Sequence, residues 1–365
     1  MIDFGKIITR AWHILWNYKV LWIFGVLLAL TSGGGGNGNS NYQDNGSDGN
    51  QGNAPDFNQA GPAMRELTDW FNKDIAPLFE HPDQHVTTFI WIGVAILLFI
   101  LVVGIISALI RYPSETAVIR MVDEYEQSET KVGFRQGWKL GWTRRAFRIW
   151  VIDLIISLPA FLFLAVLLTL GVVFFFSFST PSPLMSAASI IALIGCFFLF
   201  TFAFIILMVF LGLLRPFFVR FAALEETGIG ESFRRGWAFF KHNWKSAALM
   251  WLIMLGIGLG VGIAGMILFF LLIPIYVILL IPAALVAALP GLLAFGITNL
   301  FVSGPLAWII GILFALPLFF TVLFAPLVLI NGWYKIYESS IWTLAYREMK
   351  ILNGSLSIEA PAQAA

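Results

Sequence analysis

Residues 246–334 decide the fold, and they read SAALMWLIMLGIGLGVGIAGMILFFLLIPIYVILLIPAALVAALPGLLAFGITNLFVSGPLAWIIGILFALPLFFTVLFAPLVLINGWY. This stretch contains no Asp, Glu, Lys or Arg. One membrane-spanning helix needs about 20 apolar residues, so the stretch is long enough to cross a bilayer more than once. Residues 149–214 contain a single residue of these four types, Asp153, and indicate the same arrangement. The sequence therefore predicts an integral membrane protein.

The composition agrees with this prediction. The chain has 365 residues, of which 59% are apolar and 12% are charged, whereas soluble domains are about 25% charged. The formal net charge is only +1, and the basic residues flank apolar stretches instead of forming a separate basic domain, which argues against a nucleic-acid partner. The single cysteine, Cys196, excludes an intrachain disulfide and a cysteine metal cluster.

The basic residues predict the topology. Of the 22 Lys and Arg residues, 20 fall in four blocks, at residues 1–19, 111–148, 215–245 and 331–350. By contrast, segment 32–86 contains eight acidic residues and only two basic ones. Because loops rich in Lys and Arg stay on the cytoplasmic side, we expect both termini in the cytoplasm and segment 32–86 outside the plasma membrane.

One short pattern occurs three times, each time just before an apolar stretch. A small residue precedes a tryptophan in FGKIITRAW (residues 4–12), FRQGW (134–138) and FRRGW (233–237), so Trp12, Trp138 and Trp237 are candidate membrane anchors. Basic and aromatic side chains alternate with helical periodicity around them, which is typical of helices lying in the headgroup layer. Ordinary ends of spanning helices would give a similar composition.

The third copy is the most basic of the three. It places Arg234, Arg235 and Lys245 on the face opposite the aromatic residues. Anionic lipid headgroups attract such clusters, so these three side chains are candidate anionic-lipid contacts. The lipid bilayer, with anionic lipids in particular, is the predicted partner.

The predicted fold class is all-α, a polytopic helical membrane protein. It has about six transmembrane helices arranged as three repeats, each an interfacial amphipathic helix followed by a transmembrane hairpin. The interfacial helices are predicted at 1–17, 131–145 and 231–245, and the hairpins pair 18–31 with 87–110, 149–177 with 186–213, and 246–270 with 305–330. A Gly/Asn-rich outer loop (32–86), a broken insert (271–304), a cytoplasmic helix (331–352) and a disordered tail (354–365) complete the single domain (1–353).

The insert 271–304 leaves three arrangements open. Its prolines and glycines are compatible with a re-entrant segment, an interfacial segment or a further span. A seventh span would put the basic C-terminal block outside, so six spans are preferred. Before the insert, Gly256, Gly258, Gly260 and Gly262 predict a close approach of another helix.

Asp153 is the candidate intramembrane polar site. A carboxylate inside a span is costly, so it is either functional or paired. Arg148, Arg111 and Arg215 are its candidate partners, and a proton- or ion-coupling role is the alternative. Arg111 and Arg215 each precede a proline closely, at matching places after the second and fourth spans. They therefore mark either simple helix ends or a basic pocket for lipid phosphate.

The sequence offers no metal, cofactor or catalytic site. His81 and His85 have i, i+4 spacing, but Pro82 and the lack of a third nearby ligand argue against metal binding. No His-Glu-x-x-His, phosphate-binding Gly-Lys-Ser/Thr or Gly-x-Ser-x-Gly motif is present. We therefore predict no cofactor and no enzymatic activity.

The three short motifs, together with YESSIWTLAYRE at residues 337–348, resemble uncharacterised prokaryotic multi-pass proteins grouped around the glycerophosphoryl diester phosphodiesterase membrane domain. The resemblance implies repeated interfacial helices and hairpins with a C-terminal cytoplasmic helix. It does not imply phosphodiesterase activity, because that activity belongs to a separate barrel of about 250 residues.

Three functions are compatible with these features. The first is a non-catalytic membrane module that engages lipid or a partner through its basic helices. The second is a small-molecule or ion transporter or channel, suggested by Asp153 and the broken segment 271–304. An embedded enzyme is the third, although no acid/base pair is visible. The sequence does not identify a substrate, a protein partner or an oligomeric state.

Overall fold

The structure is a computed structural model, and it describes residues 2–32, 86–179, 187–301 and 305–359. Of these residues, 92% are helical and none lies in a β-strand. Six of the described helices are long and apolar enough to cross a membrane. The all-α, polytopic prediction is therefore confirmed.

The described residues form eleven helices. They are α1 (Phe4–Asn17), α2 (Val20–Thr31), α3 (Val86–Ser128), α4 (Phe134–Gly141), α5 (Arg144–Ser179), α6 (Ala187–Leu224), α7 (Ile229–His242), α8 (Trp244–Leu271), α9 (Ile273–Asn299), α10 (Pro305–Leu323) and α11 (Ala325–Glu359). The membrane-length helices are α3, α5, α6, α8, α9 and α10. Each of the short helices α1, α4 and α7 is separated from the apolar helix that follows it by only one or two residues.

The chain divides into two compact units. The first comprises Met1–Thr31, Ala108–Val261 and Asn331–Ala365, and the second comprises Ser32–Ser107 and Gly262–Ile330. Helices α3, α8 and α11 contribute residues to both units.

The chain bends sharply between α1 and α2, by 100°. Asp3 caps the start of α1 by accepting a hydrogen bond from the backbone N–H of Lys6 at 3.0 Å. At the bend, the buried Tyr18 hydroxyl donates to the Val132 carbonyl at 2.8 Å and accepts from the Val132 N–H at 2.6 Å. The bend is thus tied to the loop before α4.

The first predicted span, at residues 18–31, corresponds to the short helix α2. Residues 18–31 were expected to cross the membrane, but α2 has 12 residues and is about 18 Å long at 1.5 Å per residue. The hydrocarbon core is about 30 Å thick. By itself α2 is therefore too short to be one of the six membrane-length helices, but α1 and α2 together are long and apolar enough to form one broken span, so the prediction stays open.

The segment 271–304 differs from its predicted broken form. It contains one helix, α9, which continues through Pro282 and Pro290 and is long enough to be a span. Proline is tolerated inside apolar helices when neighbouring groups satisfy the freed carbonyls. Helix α10 packs along α9, so the predicted pairing of 246–270 with 305–330 is replaced by an α9–α10 pair.

The core of the first unit joins helices that are distant in sequence. Buried aliphatic and aromatic side chains from α1, α2, α3, α6 and α11 form one cluster. Its fully buried members include Ile14, Leu21, Phe24, Met121, Phe217, Ile336 and Ile341. This cluster fixes the short helices α1 and α4 against the long ones.

Two glycines bring α2 and α11 into backbone contact. A Cβ added at Gly332 would lie 2.9 Å from the backbone of Gly25 and Val26. A Cβ added at Gly25 would lie 2.5 Å from the carbonyl oxygen of Gly332 and would also collide with Ile336. Both positions therefore exclude any larger side chain.

The second unit has a comparable contact between α9 and α10. A Cβ at Gly291 would lie 2.9 Å from that of Ala315, and one at Gly311 would lie 3.0 Å from the Gly291 carbonyl oxygen. Phe295 and Trp308 pack beside this contact with ring centroids 4.3 Å apart. Small residues thus permit close helix packing here, as is common in membranes.

The predicted close approach at the glycines of α8 is not found. Added Cβ atoms at Gly256, Gly260 and Gly262 would have no heavy atom within 4 Å, and one at Gly258 would meet only the Tyr334 hydroxyl at 3.1 Å. The spacing of glycines does not identify the ones that contact another helix, because it does not show which helix face has a neighbour.

The C-terminal helix is longer than predicted. Helix α11 continues to Glu359, so residues 354–359 are helical and not part of a disordered tail. Residues 360–365 and residues 33–85 of the predicted outer loop, with His81 and His85, lie outside the described residues.

The Gly25–Gly332 contact gives a direct prediction. Replacing Gly25 with alanine should lower the free energy of unfolding in detergent by about 1–3 kcal/mol, because overpacking a tight contact forces the helices apart. Denaturant unfolding followed by circular dichroism measures the change. The matched control is Gly256→Ala, where the Cβ meets open space; equal losses in the two variants would contradict the prediction.

Candidate functional site

The small residue of each repeated motif is a packing position. Ala11, Gly137 and Gly236 are all buried. A Cβ at Gly137 would lie 2.5 Å from Sδ of Met121 on α3, and one at Gly236 would lie 2.5 Å from Cδ1 of Phe218 on α6. Each short helix is therefore held closely against its neighbour at this point.

The tryptophans beside these positions face outward to different extents. Trp12 is 53% exposed and Trp237 is 45% exposed, whereas Trp138 is half-buried. At the breaks that follow α4 and α7, Trp142 and Trp244 are 54% and 56% exposed. Exposed tryptophans at the ends of apolar helices are typical of the membrane interface.

The basic residues fall into two groups. Nine exposed Lys and Arg residues form no ion pair with any residue that the structure describes. All nine lie on α1, α4 or α7, or within three residues of their ends: Lys6, Lys19, Lys131, Arg135, Lys139, Arg144, Arg234, Lys241 and Lys245. Apart from Arg144 at the start of α5, the arginines of the long helices are instead bound by carboxylates or backbone carbonyls.

The three candidate lipid contacts near α7 are not equivalent. Arg234 is exposed and has no ion pair among the described residues. Lys245 is exposed and its ammonium lies 5.9 Å from the ring centroid of Trp244. Arg235 is bound by Glu231 at 2.5 Å and by Glu225 at 3.6 Å. Arg234 and Lys245 are therefore more available to an external anion than Arg235.

Asp153 lies in an ionic cluster formed by α3, α5 and α6. Arg215 donates to both of its carboxylate oxygens, at 2.7 and 2.8 Å. Arg111 lies 3.7 Å from the same carboxylate, and Arg215 also donates to Glu115 at 3.0 Å. The structure thus brings Asp153 together with two of its three predicted partners. Arg111 and Arg215 are occupied by protein carboxylates, unlike the nine exposed cations.

Arg148, the third predicted partner, binds elsewhere. It donates to the backbone carbonyls of Glu226 and Thr227 at 2.6 and 3.1 Å. Arg145 donates to the Ala223 carbonyl at 2.8 Å and forms an ion pair with Glu226. These two arginines connect the start of α5 with the end of α6.

A second ionic cluster surrounds Glu225, just after α6, and sequence reasoning did not identify it. Glu225 accepts a hydrogen bond from the Tyr346 hydroxyl and forms ion pairs with Lys350 at 2.8 Å and with Arg235 at 3.6 Å. Tyr346 and Lys350 are one helical turn apart on α11, which is the only sequence signal for a shared partner.

The cluster alters the ionisation of its members. Partial burial opposes the charge on Glu225, but hydrogen bonds from Lys350 and Tyr346 and the charges of Lys350 and Arg235 outweigh it and lower its pKa. Burial, followed by the hydrogen bond to Glu225, raises the pKa of Tyr346. Glu225 is therefore an ionised acceptor at neutral pH, and Tyr346 is a neutral donor.

A neighbouring contact adds to this attachment of α11. Arg347 donates to the carboxylate and to the backbone carbonyl of Asp123 on α3, at 2.5 and 3.0 Å. Arg10 of α1 similarly binds Glu126 on α3 at 2.7 Å. The ends of α3 and α6 thus hold the C-terminal helix and the first short helix.

No group of three or more His, Cys, Asp or Glu side chains suitable for a metal occurs within the described part of the chain. The candidate site therefore consists of the exposed tryptophans and cations of the short helices. The ionic clusters at Asp153 and Glu225 lie inside the protein.

Helices of this length and apolarity, with tryptophans and cations at their ends, define a multi-pass helical membrane protein. The chain belongs to a family of unknown function (DUF7544), whose model matches residues 8–339. The match provides no link to the glycerophosphoryl diester phosphodiesterase membrane domain. No curated protein and no solved structure matches the chain.

The cluster at Asp153 predicts that substitutions of Asp153 and Arg215 destabilise the fold in a coupled way. Asp153→Asn should lower the free energy of unfolding by about 1–3 kcal/mol, because it leaves the Arg215 guanidinium with one carboxylate fewer. Unfolding in detergent measures this loss. In a double-mutant cycle, adding Arg215→Gln should cost less in the Asp153→Asn background than in the wild type; additive losses would show that the two groups do not interact energetically.

The Glu225 cluster predicts a pH dependence. Because its folded-state pKa lies below the ordinary 4.5, ionised Glu225 stabilises the fold above pH 4.5, and this stabilisation is lost as the pH falls through the folded-state value. Glu225→Gln should therefore lower the unfolding temperature at pH 7 and weaken its decrease below pH 4.5. Glu348→Gln on α11, a residue with no ion pair among those described, is the control. If the unfolding temperature of Glu225→Gln fell below pH 4.5 as steeply as that of the wild type, the prediction would be refuted.

Proposed function

We propose that this protein is a non-catalytic plasma-membrane module that engages anionic lipid through α1, α4 and α7. The observation that carries the proposal is that nine exposed cations, among the residues that the structure describes, have no ion pair there and all lie on or beside these three helices. The proposed orientation has both termini in the cytoplasm and segment 32–86 outside, because 20 of the 22 basic residues then face one side. It requires the chain to cross the membrane through the bent α1–α2 pair. It also requires one of α8, α9 and α10 to enter the membrane without crossing it, so that the number of crossings is even.

The tryptophans support an interfacial position for these helices. Four of them, Trp12, Trp142, Trp237 and Trp244, expose 45–56% of their surface. A large exposed aromatic ring is unfavourable in water but suits the boundary between headgroups and acyl chains. Cations on the same short helices would then lie at the depth of the lipid phosphates.

The free energy available from lipid contact favours the exposed, unpaired cations over the cations that are paired with carboxylates. A Lys or Arg near an anionic leaflet contributes on the order of 1 kcal/mol, which is available only where the charge has no protein partner. Arg111 and Arg215 would have to leave the Asp153 carboxylate to bind a phosphate. We therefore assign lipid contact to Arg234 and Lys245 before Arg111, Arg215 or Arg235.

The transporter alternative has less support. It was suggested by Asp153 as an intramembrane carboxylate and by an interrupted segment at 271–304. Asp153 is bound by Arg215 and Arg111, which supports a structural role, and the interrupted segment is the helix Ile273–Asn299.

The resemblance to the glycerophosphoryl diester phosphodiesterase membrane domain is kept as a proposal about the architecture only. It carries no proposal of catalytic activity.

The proposal is tested by the lipids that the protein retains. We expect the triple variant Arg234→Gln, Lys241→Gln, Lys245→Gln to retain about a hundredfold less anionic lipid than the wild type. Three lost charges of about 1 kcal/mol each remove about 3 kcal/mol, and each 1.4 kcal/mol corresponds to a factor of ten. Native mass spectrometry after purification in mild detergent, with defined mixtures of phosphatidylglycerol and phosphatidylcholine added back, measures the retention.

Two comparisons make the result specific. His242→Gln, an exposed polar residue on α7, should retain anionic lipid like the wild type. Retention of phosphatidylcholine should be the same in all variants, because its headgroup has no net charge. If the triple variant retained phosphatidylglycerol as the wild type does, the lipid-engaging role of α7 would be excluded.

A further inference from the structure

Arg220 on α6 is a buried cation that forms no ion pair within the described part of the chain. Its exposed fraction is 4%. Its guanidinium donates only to backbone carbonyls, those of Pro216 and Ser339, each at 3.2 Å. Its Nε–H is buried and has no hydrogen-bond partner. Arg215, on the same helix, instead binds the carboxylates of Asp153 and Glu115.

The neighbouring face of α11 also carries unpartnered polar atoms. Ser339, Trp342 and Tyr346 follow the i, i+3, i+7 spacing of one helix face, and this face packs on α6: Trp342 lies against Phe217 and Tyr346 against Phe221, with ring centroids 5.9 and 5.3 Å apart. The buried hydroxyl of Ser339 has no partner, nor does that of the adjacent Ser340. Hydrogen-bond donors without acceptors therefore collect where α6 meets α11.

The nearby carboxylates are already bound to other cations. Asp153 and Glu115 bind Arg215, with Arg111 beside Asp153. Glu338, one residue before Ser339, is paired with Lys335 at 3.3 Å. Four cations, counting Arg220, thus share three carboxylates among these described residues, which leaves one positive charge in excess at Arg220.

A buried cation requires a counter-charge as well as hydrogen-bond acceptors. Water would accept from the guanidinium and the hydroxyls but would leave the charge uncompensated. A compact anion meets both needs, since it accepts from an N–H and from O–H groups at once. A lipid headgroup is too large to reach atoms that are this deeply buried.

We propose that a monovalent, halide-sized anion, chloride being the available example, binds between α6 and α11 on Arg220 Nε–H and the Ser339 hydroxyl. The bound anion neutralises Arg220 and joins the two helices. This site is separate from the exposed cations of α1, α4 and α7, and it does not depend on lipid binding by them.

The test uses the full chain in detergent, with the thermal unfolding midpoint as the readout. The protein is exchanged into gluconate buffer, and chloride then replaces gluconate at constant ionic strength and pH. We expect the midpoint to rise and then saturate with chloride for the wild type, as ligand binding to the folded state requires. Bromide should replace chloride, and gluconate, which is too large, should not.

Variants separate the site from general salt effects. Arg220→Gln should lose the saturable rise, whereas Arg234→Gln, which removes an exposed charge on α7, should keep it. If Arg220→Gln does not fold, Ser339→Ala provides the same test, because it removes one hydrogen-bond donor to the anion. The chloride concentration that gives half of the stabilisation should then be at least several-fold higher than for the wild type. A wild-type midpoint that does not respond to chloride, or an identical response in wild type and Ser339→Ala, would overturn the proposal.

Bromide also allows a direct observation. In crystals grown with bromide, an anomalous scattering peak between Arg220 and Ser339 is expected. Ordered water at that position, without an anomalous signal, would instead show that the buried donors are satisfied by solvent and would refute the anion site.

Discussion

The high cost of placing a charge in an apolar environment organises this molecule. An Asp, Lys or Arg at the centre of a spanning helix costs about 2.5–3.5 kcal/mol on insertion scales, and the chain accordingly confines its charges to helix ends and connections. Asp153 and Arg215, which do enter the packed region, are bound to each other. The nine exposed cations remain outside this region, on or within three residues of the short helices α1, α4 and α7. The division between paired and unpaired charge follows from this single constraint.

Close packing is the second requirement, and it depends on a few small residues. Gly25 and Gly332 let α2 and α11 touch through their backbones, while Gly137 and Gly236 let the short helices rest on α3 and α6. In each of these places a methyl group would meet atoms of the neighbouring helix. A short amphipathic helix held at such a point can keep its aromatic residues at a fixed depth beside its apolar neighbours. The repeated pair of a small residue and tryptophan is thus explained by one buried and one exposed position.

Much of this architecture could be predicted because it depends on composition. Hydrophobic length gave the membrane class, helical periodicity gave the short amphipathic helices, and the isolation of Asp153 suggested pairing with a nearby arginine. Three features were not predictable in the same way. Helix α9 continues through Pro282 and Pro290 because tertiary packing overrides a weak local signal. The packing glycines depend on which faces meet, and the Glu225 cluster joins residues 121 positions apart, a distance over which no local pattern carries information.

The arrangement around Glu225 has a consequence for how the molecule tolerates change. One carboxylate serves Tyr346 and Lys350 of the C-terminal helix and Arg235 of a short basic helix. Tyr346 and Lys350 share Oε1 of this carboxylate, while Arg235 lies against Oε2, so the loss of one donor leaves the others bound. The C-terminal helix therefore stays attached when one donor is lost, but this attachment is lost when the Glu225 carboxylate is removed. In a lineage of such chains, the basic and aromatic donors could drift one at a time, while the acid would have to be retained or replaced in a single step.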